Sequence, residues 1–218
     1  MTQDEKDFKE ILHQTDTDRI LALIDSYYKM SHLYNSAIKH IVTKLEILDD
    51  EFHTAHNHNP IHHIESRLKT PQSLFSKLRR RNLALDLDVA REEISDIAGV
   101  RVVCFYTEDI YTVSDLLLAQ EDVRLVRKSD YIQAPKESGY RSLHLILDVP
   151  VYRSDRAVSV PVEVQIRTVA MDFWASLEHQ ILYKNNSMIP EKFRLQLRDC
   201  AEEISRLDEK MQDLYKQI

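Results

Sequence analysis

The apolar residues of the chain fall into two periodicities. From about Asp16 to Asp50, the residues Ile20, Leu23, Ile24, Tyr27, Tyr28, Leu33, Ile38, Ile41, Leu45 and Leu48 recur at helical spacing. That pattern predicts one long helix or two nearly continuous ones, with a short helix before it around Lys6 to Gln14. Thr54 to Pro60 is polar, repeats His and Asn, and reads as a loop. Ile61 to Lys69 alternates weakly, as an edge strand does. Thr70-Pro71 then opens a helix, with Thr as cap and Pro at the first position, running to about Asn82.

Further along, the period shortens. The β-branched and aromatic run Val100 to Tyr106 predicts a strand, and Asp109 to Gln120 a helix. Val123 to Val126, Ser142 to Val149 and Val160 to Thr168 predict three more strands. Val169 to Lys184 returns to helix. Pro190 to Gln217 is a second amphipathic helix, with Phe193, Leu197, Ile204, Leu207, Met211 and Leu214 expected as its buried stripe. Strands in the middle with long helices at both ends describe an α/β or α+β core with helical wings. The corresponding division is an N-terminal helical region (1–52), a core (53–185) and a C-terminal helical region suited to oligomerisation (186–218).

Composition narrows the class. At 218 residues the chain suits one domain with helical extensions. The acidic start Met-Thr-Gln-Asp-Glu has no apolar core and reads as no secretory signal. No run of about 18 apolar residues is present, so no membrane span is expected. Two cysteines far apart in sequence, Cys104 and Cys200, fit reduced thiols in a cytoplasmic protein. The net charge of -7 argues against nucleic-acid binding driven by overall charge. The distribution of charge says more than its sum. Between Ser66 and Leu85 there is no acidic residue, but there are Arg67, Lys69, Lys77, Arg79, Arg80 and Arg81, a concentrated anion site.

Three clusters could carry chemistry. The only two glycines, Gly99 and Gly139, fall in Asp96-Ile-Ala-Gly-Val-Arg101 and Lys136-Glu-Ser-Gly-Tyr-Arg-Ser-Leu-His144. Neither stretch is a P-loop or a dinucleotide fingerprint, and a turn before a strand explains either glycine equally well. In Val162-Glu-Val-Gln-Ile-Arg167 the period of two puts Glu163, Gln165 and Arg167 on one face. A solvated outer face is the ordinary meaning of such a pattern, whereas a carboxylate, an amide and a guanidinium side by side could also hold a metal and a polar ligand. Asp96 precedes the strand at Val100. It is either a turn cap or, if it meets Glu163 across the sheet, half of a hard-oxygen site suited to Mg²⁺. Two carboxylates, a basic helix, and Tyr140 beside Lys136 and His144 are what phosphoryl chemistry on nucleotides needs.

These segments resemble the synthetase domain of the RelA/SpoT homologue family, in its single-domain form, the small alarmone synthetases. The matching stretches are Ile64–Leu78, Asp96–Val103, Asp130–His144, Val162–Thr168 and Val169–His179, in the expected order between about Ile61 and Lys184. The resemblance implies a nucleotidyltransferase-like mixed sheet of about five strands flanked by helices. It implies pyrophosphoryl transfer from ATP to the 3′-hydroxyl of GDP or GTP, with AMP as leaving group. By that analogy Asp96 binds Mg²⁺, and Glu163 holds the metal or accepts the 3′-hydroxyl proton. Arg67 and Arg101 would sandwich adenine, and Lys69, Ser73, Lys77 and Arg80 would hold the ATP phosphates. Tyr140 would stack on guanine, and Lys136, His144 and Gln165 would bind the GDP side.

The resemblance also bounds what else the chain does. No His-Asp dipeptide of the kind used by alarmone hydrolases occurs, so synthesis without hydrolysis is expected. A homotetramer assembled through the terminal helices is implied. Some such tetramers bind activating pppGpp in a central cleft whose ligands lie just before the position of Arg67. Here that place holds His62, His63 and Glu65, and an added carboxylate repels a polyphosphate. The histidines His53, His56, His58, His62 and His63 are either a solvated polar loop or a regulatory Zn²⁺ site. Two rival functions predict different observables. A single-stranded-RNA module around Arg67 to Arg81 would bind RNA in a salt-sensitive way without Asp96 or Glu163. A related nucleotidyltransferase would release pyrophosphate instead of AMP.

Overall fold

Five strands form one mixed sheet in the order β1-β2-β5-β4-β3. They are β1 (Ile61–Leu68), β2 (Ala98–Cys104), β3 (Arg124–Asp130), β4 (Leu143–Tyr152) and β5 (Ala157–Thr168). The central pair β2/β5 is parallel; every other pairing is antiparallel. The computed structural model describes residues 6, 8, 9, 16–184 and 190–217. The expected helix from Lys6 to Gln14 lies outside these, apart from Lys6, Phe8 and Lys9. Among the described residues there are six helices: α1 (Thr17–Ala55), α2 (Pro71–Arg80), α3 (Leu87–Glu93), α4 (Thr107–Leu118), α5 (Val169–Lys184) and α6 (Glu191–Tyr215). None is long and apolar enough to cross a membrane.

Helix α1 is one continuous element of 39 residues. Its buried positions Tyr27, Met30, Tyr34, Ala37, Ile38, Ile41, Leu45 and Leu48 keep the i, i+3, i+4, i+7 rhythm of a single stripe. That stripe packs across β1, β2, β5 and β4. It meets Ala98, Val100, Val102, Leu143, Leu145, Leu147, Val162, Val164 and Ile166 in one shared core. The Tyr27 hydroxyl also donates to the Lys69 carbonyl at 2.6 Å. One face of the sheet is thereby sealed with apolar side chains, and polar chemistry is left to the other.

The element boundaries moved for identifiable reasons. The predicted loop at Thr54 starts at His56, because α1 continues to Ala55. Helix α2 is capped as expected, the Thr70 hydroxyl accepting from the Ser73 amide. It ends at Arg80, since Asn82 takes a positive φ of 54°, which stops a helix. Helix α3 was not anticipated; Asp86 starts it by accepting from the amides of Asp88 and Val89. Strand β3 runs on through Arg127 and Lys128 because β4 supplies its hydrogen bonds, and charged residues suit a sheet edge. Gly99 lies inside β2 rather than in a turn.

The C-terminal helix gives the largest correction. Phe193, Leu207, Met211 and Leu214 were expected to be buried and are exposed. Of the expected stripe, Leu197 and Ile204 do pack, together with Ala201, against Trp174, Ala175 and Tyr140. The Trp174 Nε1 donates to the Leu197 carbonyl at 2.9 Å, and the Thr168 hydroxyl donates to buried Asp208 at 2.5 Å. At the far end Tyr215 stacks on Tyr106, their centroids 4.5 Å apart. The helix therefore lies on the core rather than standing off it as a wing.

Gly139 sets how close α6 can come. Its φ is +92°, and a Cβ there would stand 2.6 Å from the Ala201 Cβ. Gly139→Ala is expected to lose on the order of 2 kcal/mol in urea unfolding, from backbone strain plus overpacking. At Gly99 the nearest atoms to an added Cβ are 3.8 Å away, so Gly99→Ala should stay within about 0.5 kcal/mol of wild type. Equal losses at the two glycines would contradict this account.

Candidate active site

Sheet register assembles the polar face in rows. Glu65 on β1 pairs with Arg101 on β2, Arg101 with Gln165 on β5, and Gln165 with His144 on β4. In the next row Arg67 pairs with Gly99, and Gly99 with Glu163. Because Gly99 has no side chain, a gap opens between Arg67 and Glu163. The resulting cleft has about 390 Å³ of empty space and is lined by Glu65, Arg67, Asp96, Gly99, Arg101, Glu163 and Gln165.

Asp96 stands at one end of the cleft, just ahead of β2. One carboxylate oxygen pairs with Lys77 at 2.8 Å and Lys69 at 3.1 Å. The other, Oδ1, is buried without a hydrogen-bond partner among the described residues. Burial alone would raise this carboxyl, but the two ammonium groups outweigh it and hold the group below its ordinary range. Lys69 is pulled down by its own burial, against the opposing pull of Asp96. Ser73 sits in the first turn of α2 and Arg80 in its last, so the predicted phosphate-binding side chains share one helix and the short connection from β1 that holds Lys69. Cations in that last turn also suit the helix dipole.

Glu163 lines the same cleft, close enough to Asp96 for the two carboxylates to repel. His144 Nδ1 lies 3.3 Å from its Oε1, and the Gln165 amide donates to Oε2 at 2.9 Å. Burial would raise the group, yet His144 and Gln165 bring it below its ordinary value. The Tyr140 hydroxyl is 2.9 Å from His144 Nε2. A neutral His144 with its proton on Nδ1 satisfies both contacts, donating to Glu163 and accepting from Tyr140. The Lys136 ammonium sits 4.6 Å over the Tyr131 ring and 4.8 Å over that of Tyr140. Asp96 and Glu163 thus end up on one cleft, with a cationic helix on the Asp96 side and an aromatic pair on the Glu163 side.

The histidine loop gives no such convergence. Among the described residues no group of three or more His, Cys, Asp or Glu is placed to hold a metal. His53 meets Asn59 and Asp49, and His56 stacks on Phe52. His58 pairs with Asp109 at 2.9 Å, while His62 and His63 contact each other at 2.7 Å. The suggested Zn²⁺ site is therefore not supported, since the five rings are spent on separate packing and capping contacts.

Residues 66–188 match the family described as "Region found in RelA / SpoT proteins". The chain belongs to the RelA/SpoT family. It is 42% identical over 207 residues to the GTP pyrophosphokinase YwaC of Bacillus subtilis, covering 95% of this chain and 99% of that one. The crystal structure of small alarmone synthetase 2 from Bacillus subtilis superposes with a TM-score of 0.80 at 43% identity, covering 88% and 99% of the two chains. Small alarmone synthetase 1 from the same organism, bound to its product pppGpp, gives 0.82 at 36% identity over 88% and 98%.

This RelA/SpoT chain brings further side chains to the site that the sequence reading did not single out. Tyr131 follows Asp130, which accepts from the Ile132 and Gln133 amides and so fixes the turn. Asp172 lies in the first turn of α5, near both Arg101 and Arg167. An acid one turn after the Val162–Arg167 motif was a legible signal, because carboxylates favour helix N-termini. Its partners were not legible, since they come from two different strands.

The Asp96 ion pairs make a stability prediction. Asp96→Ala is expected to lose about 2 kcal/mol in urea unfolding at about pH 7, because it strands the buried Lys69. Asp96 is held below its ordinary value, so its contribution is complete above the ordinary carboxylate range and is lost as pH falls through the lower folded value. The gap between variant and wild type should therefore shrink toward about pH 3. A gap of constant size would contradict the pairing.

Proposed function

We propose that this chain is a cytoplasmic small alarmone synthetase, a GTP pyrophosphokinase that makes (p)ppGpp. It moves the pyrophosphoryl group of ATP to the 3′-hydroxyl of GDP or GTP, and we assign it no hydrolase activity. The observation that carries the reading is the pair of ionised, half-buried carboxylates, Asp96 and Glu163, on one cleft between a cationic and an aromatic wall. It stands in a chain matched along 95% of its length by a GTP pyrophosphokinase.

On this reading Arg67 and Arg101 hold the adenine, as planar guanidinium groups stack well on bases. Lys69, Ser73, Lys77 and Arg80 hold the ATP phosphates. Tyr140 stacks on guanine, and Lys136, His144 and Gln165 bind the rest of the guanosine nucleotide. Asp96 and Glu163 would hold Mg²⁺, for which hard carboxylate oxygens and the unpartnered Asp96 Oδ1 are suitable ligands. The chemistry such an ion supplies is neutralisation of phosphate charge. Lys69 and Lys77 exchange their hold on Asp96 for the phosphate oxygens when ATP enters. The 3′-oxygen then forms a bond to the β-phosphorus, the bond from β-phosphorus to the α,β-bridging oxygen breaks, and AMP leaves. Glu163 takes the hydroxyl proton. It faces His144 and Tyr140 on the guanosine side, whereas Asp96 is enclosed by ammonium groups.

The two rival readings are less well supported. An RNA groove gains nothing from acids that neutralise Lys69 and Lys77. Transfer of a nucleotidyl group would release pyrophosphate.

The deciding experiment supplies ATP, GDP and Mg²⁺ and analyses the products. AMP and guanosine tetraphosphate are expected from wild type, with turnover lowered about 10²–10⁴-fold in Glu163→Gln. Pyrophosphate release, or full activity in that variant, would defeat the proposal.

We further propose a homotetramer that covers the exposed stripe Leu207, Met211 and Leu214 of α6. Phe173 and Leu177 on α5 are exposed as well, and exposed apolar surface of that kind marks interfaces. Leu207→Glu combined with Met211→Glu should lower the mass in sedimentation equilibrium to that of smaller species. An unchanged mass would place the interface elsewhere.

A further inference from the structure

One carboxylate oxygen of Asp172 is shared by two arginines, and neither holds it fully. Asp172 Oδ1 lies 3.5 Å from Arg101 Nη1 and 3.5 Å from Arg167 Nε. Neither approach makes a hydrogen bond: Asp172 Oδ1, Arg101 Nε and Arg167 Nε are all buried without a hydrogen-bond partner among the described residues. Arg167 is only 3% exposed, and its Nη2 donates to a neutral acceptor, Gln165 Oε1, at 3.0 Å. A buried guanidinium without a fully engaged counterion is costly. Arg101 has an alternative, since its Nη1 also donates to Glu65 at 3.0 Å.

Of the two arginines Arg101 lines the cleft, whereas Arg167 lies two residues along β5 from the lining residue Gln165. Arg101 lies on β2 beside Arg67, on the adenine side. Arg167 packs 5.9 Å over the Tyr140 ring and leads through Gln165 to Glu163. A base stacked on Tyr140 fixes that ring and the guanidinium packed against it, and thereby favours full pairing of Arg167 with Asp172. Arg101 is then released from the shared oxygen and can turn its plane toward the adenine. The reverse sequence works equally well: adenine draws Arg101 away, Asp172 closes on Arg167, and the Gln165–Glu163 pair is steadied.

We propose that Asp172 is a positioning residue that couples ATP binding to guanosine nucleotide binding, by passing between Arg101 and Arg167. The proposal rests on the assignment of the two nucleotide sites given above and adds their linkage. Coupling of this kind is reciprocal: each ligand tightens the other by the same factor.

The test is calorimetric titration of the full chain with α,β-methylene-ATP and Mg²⁺, with and without saturating GDP, and the converse titration. In wild type GDP is expected to tighten the ATP analogue about 10-fold, with an equal effect in the opposite direction. In Asp172→Asn, which keeps the shape but removes the charge, the factor should fall below about 2 while each nucleotide still binds alone. Arg167→Lys cannot hold Gln165 and Asp172 at once, and provides a second variant with the same expectation should the first not fold. A merely structural role for Asp172 would weaken both affinities and leave their ratio at the wild-type value. That result overturns the proposal, as does a wild type in which the nucleotides bind independently. Failure of the underlying functional reading looks different, because wild type would then bind neither nucleotide.

Discussion

Parallel pairing of β2 with β5 puts Gly99 beside Glu163 and Arg101 beside Gln165, and the rest of the molecule is organised around the charge this gathers on one face. A sheet has two faces, and the 39-residue helix α1, together with α4, covers one of them with apolar side chains. The polar residues of β1, β2, β4 and β5 must then share the other. Half-buried charges are tolerated only in pairs or networks, and Asp96, Glu163 and Arg101 each have such partners. Lys69 and Lys77 serve Asp96, His144 and Gln165 serve Glu163, and Glu65 serves Arg101.

Such a face is held ready for ligand rather than optimised without it. The Lys69 and Lys77 ammonium groups rest on Asp96, and the Lys136 ammonium rests over the rings of Tyr131 and Tyr140. Both arrangements lower the cost of holding charge away from water. Both also leave residual strain, seen in the unpartnered atoms of Asp96, Arg101, Arg167 and Asp172. The unpartnered carboxylate oxygens of Asp96 and Asp172 lack donors, whereas the unpartnered guanidinium nitrogens of Arg101 and Arg167 lack acceptors.

Closure from the C-terminal side depends on small residues instead of large ones. Gly139 and Ala201 let α6 approach the loop that carries Lys136 and Tyr140. The helix is thereby anchored by Ala201, Trp174 and the Thr168–Asp208 hydrogen bond. Its bulky apolar residues are left facing outward. The result joins the position of the loop carrying Lys136 and Tyr140 to the outward face of α6.

The sequence by itself determined the two periodicities, and through them the long first helix, an edge strand before a basic helix, and the alternation that put Glu163, Gln165 and Arg167 together. It also determined the motifs by which the family is legible, because those motifs are local runs of residues. Only the tertiary structure decided which part of the α6 stripe packs on the core. Periodicity put Leu197, Ile204, Leu207, Met211 and Leu214 in one stripe, and packing engages the first two with Ala201 while leaving the other three outward, with the close contact at Gly139 setting how the helix lies. It likewise dispersed the histidines that their spacing had grouped, since Asp109, Asn59 and Phe52 reach them from other turns. That Asp172 stands between Arg101 and Arg167 was invisible in the chain, because a carboxylate's partners are set by strand register and helix placement across the fold.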